Sequence, residues 1–146
     1  AITDQCHTIL SFNLKEAWQM GAYFGSDYTG KKSPAAVAEL ASYLKQCIQA
    51  DRIVIHPNDG AACASDQGTV YLPGPVVKTP LISTGAGDNF GAGCLSGTLL
   101  GLDDLGMLLC GVCSSGYFVR TGESPTFAQI CSLIELWQSG DLPERL

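Results

Sequence analysis

The stretch Ser83-Thr84-Gly85-Ala86-Gly87-Asp88-Asn89-Phe90-Gly91 holds the residues of this 146-residue chain whose types and spacing are best suited to chemistry. A glycine-rich turn runs there without a break into an apolar, helix-like segment. Gly85 and Gly87 let the backbone bend closely around a ligand, and the amides that open a helix have no intrahelical partner. The helix dipole adds partial positive charge at the same place, so the stretch predicts an anion site. Asp88 in a first helical turn is favoured by that dipole whatever its role. Beside a row of amide donors it has a second use, because it can accept a proton from a hydroxyl as that hydroxyl attacks a phosphoryl group. Two other glycine motifs are excluded. Gly85-x-Gly87-x-x-Phe90 lacks the third glycine of a dinucleotide fingerprint, and no Lys-Ser or Lys-Thr follows to make a P-loop.

Three further groups stand out. Asn13-Leu14-Lys15-Glu16 is an N-x-x-E, which on spacing alone reads as a helix N-cap with its capping-box partner. His56-Pro57-Asn58-Asp59-Gly60 follows a β-branched run, at the strand end where open α/β sheets place their ligands, although a His before Pro is also ordinary turn chemistry. Cys110-Gly111-Val112-Cys113 is a CxxC inside an apolar helical run, with no second pair at metal-ligand spacing, and reads as buried thiols.

The Gly85-Ala86-Gly87-Asp88 sequence closely resembles the second signature of the ribokinase-like family, the phosphofructokinase B type of sugar and nucleoside kinases. The upstream N-x-x-E matches a second motif of that family, in the right order. The resemblance implies an anion hole for the transferring phosphoryl group at Gly85, Ala86 and Gly87, with Asp88 as general base. It implies that Asn13 and Glu16 organise magnesium, through water, and phosphate. It places Asn58 and Gly60 near the nucleotide and a slot for adenine at the penultimate helix and the loop after it, where Ser114, Ser115 and Gly116 are candidates. ATP and Mg²⁺ are the implied cofactors, and a sugar or nucleoside-like small molecule the implied acceptor. Ile82 departs from the pattern. It stands where the family usually has an aspartate that helps to bind a monovalent cation, and isoleucine offers a cation no ligand.

Family members are about twice as long as this chain. The resemblance therefore implies the carboxyl-terminal part of a three-layer α/β fold with a mostly parallel sheet, residues 1–146 forming a partial, nucleotide-binding half. The expected partner is the amino-terminal half of the same polypeptide or a self-associating copy. A regulatory nucleotide-binding module, or a structural fragment that assembles with another chain, is the alternative. Retention of Asp88 beside the anion hole favours catalysis.

Composition agrees with a small-molecule partner. The net charge is −6 with a sequence pI near 4.6 and 8 Lys plus Arg, which gives no basic footprint for nucleic acid or an anionic membrane. The first residues show neither a basic nor an apolar leader region. The uncharged run at 105–119 is shorter than the ~20 residues of a membrane span and reads as a buried helix. Seven cysteines at irregular spacing read as reduced thiols of a cytoplasmic protein.

The positioning elements follow from periodicity. Residues 8–12 predict a short strand and 14–24 a helix, with Leu14, Ala17, Trp18 and Gly21 on one face. Ser33-Pro34 starts a second helix to about Ala50. Ile53-Val54-Ile55 predicts a strand buried on both faces, completing a right-handed crossover. Residues 61–65 and 69–72 predict a hairpin, and 73–80 an extended approach to the central motif. The helix beyond it carries Gly91, Gly93, Gly97 and Gly101, each costing about 1 kcal/mol relative to alanine unless a close approach offsets it. Helices from Asp103 to about Arg120 and from Thr126 to Trp137 complete the chain.

Overall fold

A parallel strand pair organises the first of two units. The computed structural model describes residues 6–146, and the chain divides into Ala1–Pro73 and Gly74–Leu146. In the first unit, β1 (Ile9–Asn13) runs parallel to β2 (Arg52–His56), from Ile9 opposite Arg52 to Asn13 opposite His56. Two helices make the crossover, α1 (Leu14–Tyr23) and α2 (Pro34–Cys47). Asp51 ties the strand starts together, its Oδ2 accepting from the Thr8 amide at 2.6 Å and the Thr8 hydroxyl at 3.1 Å.

β3 (Gly60–Ser65) pairs antiparallel with β2, and β4 (Gly68–Pro73) antiparallel with β3, in the order β1-β2-β3-β4. The sheet is therefore mixed rather than mostly parallel. The reason is local: the turns after His56 and after Ser65 are too short for a crossover, so each returns the chain beside the strand it has just left. Period-two alternation sends Ile53, Ile55, Ala62 and Ala64 to one face, where Ala17 of α1 and Val37, Leu40, Ala41 and Leu44 of α2 pack on them. Val54 and Cys63 on the other face are also buried, as the unbroken apolar run predicts.

The second unit is helical: α3 (Ala86–Leu99), α4 (Asp104–Thr121) and α5 (Phe127–Ser139). Its helix starts are written locally. Asp103 caps α4 by accepting from the Gly106 amide at 2.8 Å, and Thr126 closes a capping box with Gln129. α3 and α4 lie close because two glycines of α3 face the backbone of α4. A Cβ on Gly93 would collide with the Cys110 carbonyl, and one on Gly97 would stand 2.9 Å from Met107 Cα. Gly91 meets nothing within 4 Å, and Gly101 lies beyond the end of α3 in a turn with φ 72° rather than inside a helix, so close approach explains Gly93 and Gly97 and not Gly91. Cys110 and Cys113 are free and buried, and burial pushes the Cys113 thiol up to about 12. They are packing thiols, as expected. Among the described residues no helix is long and apolar enough to cross a membrane.

Candidate active site

Gly85 opens α3 as its N-cap with φ 94°, a left-handed conformation that a side chain would strain. Phe118 of α4 also closes the space there, since a Cβ on residue 85 would stand 3.2 Å from Phe118 Cζ. No side chain caps this helix. The Ala86 amide donates to the Ser83 carbonyl at 3.1 Å and closes a turn, which draws it away from the row of open donors. The uncapped first-turn amides are those of Gly87 and Asp88. Asn89 locks the turn from below: its backbone amide and its Nδ2 each donate to the Gly85 carbonyl at 3.0 Å.

Asp88 is exposed and stands on the wall of a cavity of about 310 Å³ within the second unit. Asn89, Ser96, Ser114 and Ser124 supply polar groups around it, and Phe127 and Ile130 of α5 an apolar side. An apolar slot with a few convergent polar groups, next to a carboxylate at an open helix start, is the arrangement expected of a small-molecule site. Ser114 is the α4 serine on this wall. Ser115 is half-buried and is not among the lining residues. Gly116 is used for packing, because a Cβ there would stand 2.6 Å from Pro75 Cγ.

The other predicted residues belong to the first unit. Asn13 Oδ1 accepts from the Glu16 amide, and Glu16 Oε2 accepts from the Asn13 amide, both at 2.9 Å. This is the capping box that the spacing alone predicts. His56 lies across the ladder from Asn13. Burial pushes its imidazole below the usual range, and the charge of Glu16 acts in the opposite direction. Gly60 has a structural reason of its own, since the Tyr71 hydroxyl and the Leu72 carbonyl occupy the space where its Cβ would stand. Asn58 is exposed in the turn.

Among the described residues no group of three or more His, Cys, Asp or Glu could hold a metal. An ion such as Mg²⁺ keeps most of its waters and leans on few carboxylates, so it does not require such a group. With Oε2 engaged by a backbone amide, Glu16 would hold such an ion through water.

Residues 1–137 match the prokaryotic ketohexokinase family. The chain belongs to that family. Against the ketohexokinase of Haloferax volcanii it is 29% identical over 132 residues, covering 89% of this chain and 33% of that protein. Solved structures share the fold at lower identity. The nucleoside kinase of Methanocaldococcus jannaschii, an archaeal member of the ribokinase family, superposes with a TM-score of 0.68 at 17% identity, over 92% of this chain and 41% of that one. Phosphofructokinase-2 from Escherichia coli, solved with substrates and products, gives 0.71 at 17% identity over 89% and 41%. The ketohexokinase-family chain thus has a ribokinase-type α/β fold and spans about a third of the curated relative and two fifths of the solved ones.

Sequence reasoning missed Asn89 and Arg120. Asn89 carries no signal beyond its type. Arg120 carries one, being the only Lys or Arg between Lys78 and Arg145, in the last turn of a helix that is otherwise largely apolar.

Proposed function

We propose that the polypeptide containing this chain is an ATP-dependent sugar kinase, with a ketohexose as the acceptor class that its family membership favours. The observation that carries the proposal is the uncapped start of α3, led by a left-handed Gly85, with Asp88 beside it on a cavity wall. The acceptor hydroxyl gives its proton to the Asp88 carboxylate as its oxygen forms a bond to the γ-phosphorus. The bond from that phosphorus to the β–γ bridging oxygen breaks, and its electron pair leaves with ADP. The Gly87 and Asp88 amides, with the dipole of α3, hold the equatorial oxygens while charge is spread over them. Asn13 and Glu16 would orient the waters of Mg²⁺, which neutralises phosphate charge when bound. The cavity bounded by Ser114, Phe127 and Ile130 suits the flat, partly polar adenine base.

Asp88→Asn in the full-length polypeptide tests this reading. It keeps the shape of the site and removes the base, so kcat should fall by about 10² or more while ATP binding stays within a few fold. Turnover close to wild type would remove Asp88 from the mechanism. A regulatory module that binds the nucleotide without chemistry would show ATP binding and no transfer in the unmodified polypeptide.

A further inference from the structure

The segment that delivers Gly85 to its place, residues 74–85, is neither strand nor helix. No ladder fixes it. Its backbone is held instead by α4 and by the last residues of the chain. Arg120 is buried, and its donors go to backbone carbonyls. Nη1 donates to Pro75 O at 3.1 Å and to Gly116 O at 2.8 Å, Nη2 to Val76 O at 3.3 Å, and Nε to Pro143 O at 2.8 Å. A planar fork of five donors on a rigid frame can join three separate pieces of backbone in this way, and an ammonium cannot.

The tail holds the same segment from another side. Glu144 Oε2 accepts from the Lys78 amide at 2.9 Å and from the Thr79 amide at 3.4 Å, and Arg145 Nη1 donates to Thr79 O at 2.6 Å. Leu81 then donates to Val119 O at 2.8 Å. The approach is anchored from Pro75 to Leu81, and Gly85 follows four residues later against Phe118.

We propose that Arg120 and Glu144 are positioning residues for phosphoryl transfer: they fix residues 75–81 so that the amides of Gly87 and Asp88, and the Asp88 carboxylate, keep one geometry. The inference rests on the kinase reading above and adds to it a role for Arg120 and for residues 143–145. Its basis is the steep dependence of such chemistry on placement, where a displacement of about 1 Å costs on the order of 10² in rate.

Glu144→Ala in the full-length polypeptide is the primary test, because Glu144 is exposed and its loss leaves the core intact. We expect kcat to fall about 10-fold with KM for both substrates within about twofold, since the amides bind the transition state more tightly than the ground state. Exchange of the hydrogen-bonded Ala86 and Asn89 amides should accelerate by about 10-fold, with α5 unchanged. Glu144→Gln should stay within about twofold of wild type, because its side-chain oxygen still accepts from both amides. Arg120→Lys should shift kcat in the same direction as Glu144→Ala and by more. Wild-type kcat in Glu144→Ala overturns the proposal. So does a Gln variant as impaired as the Ala variant, or exchange that rises evenly across α3, α4 and α5, which marks a contribution to stability alone. If the unmodified polypeptide transfers no phosphate, the kinase reading falls, and exchange of the Ala86 and Asn89 amides decides by itself whether Arg120 and Glu144 fix the start of α3.

Discussion

His56 ends β2 opposite Asn13, where its protonation bears on stability. Burial favours the neutral imidazole and the Glu16 carboxylate opposes it, with burial the larger effect, so the folded pKa lies below the usual value of about 6.5. The sign of the linkage follows. At pH 7 and above both states are neutral at this residue and its contribution is complete. As pH falls below about 6.5 the unfolded chain takes up a proton that the folded chain refuses, and stability is lost until the folded pKa is passed. Urea midpoints measured from pH 7.5 down to 5.5 should decline in wild type and decline less in His56→Gln. Parallel curves would show that the imidazole is not held neutral.

Between elements, the contact that fixes the site is α3 against α4. Gly93 faces the Cys110 carbonyl so closely that a methyl group has no room, while Gly91 faces open space. Gly93→Ala should therefore destabilise by roughly 1–3 kcal/mol, because backbone must move. Gly91→Ala should stabilise by about 0.5–1 kcal/mol through the helix propensity of alanine. Thermal melts of the two variants check the opposite signs, and a Gly93→Ala variant as stable as wild type or more so would mean that the helices are not packed through Gly93. The sequence makes much of this frame legible, because the signals are local. Asn13 with Glu16 and Ser33 with Pro34 declare helix starts within three residues, and Ile53 to Ile55 announce a strand buried on both faces. The proposed anion site is legible in its glycines and Asp88 but not in its detail, since nothing in the sequence says that the Ala86 amide turns back to Ser83. The anchoring of residues 75–81 is illegible for a different reason. Its partners lie 45 residues away at Arg120 and 66 at Glu144, and a segment without ladder or helical period carries no pattern to read.

At the scale of the whole molecule, the sheet order leaves β1 and β4 with one neighbour each. β1 presents Leu10 and Ser11 to solvent, and its outer backbone groups face no strand among the described residues. On the helices Leu95, Leu99 and Leu105 are exposed as well, Leu99 by 80%. An open strand edge pairs readily with another chain, and clustered apolar side chains add to the attraction. The chain also spans only 33% of the length of its Haloferax volcanii relative. We therefore expect the 146 residues produced alone to self-associate at micromolar concentration and to transfer no phosphate to a sugar. Sedimentation velocity tests this together with a point change: Leu10→Lys places a charge on the open edge, where lysine is an effective guard against pairing, and should shift the distribution toward monomer. A compact monomer with cooperative unfolding in the unmodified chain would show that β1 needs no neighbour. Association unchanged by Leu10→Lys would move the contact from the strand edge to the leucines of α3 and α4.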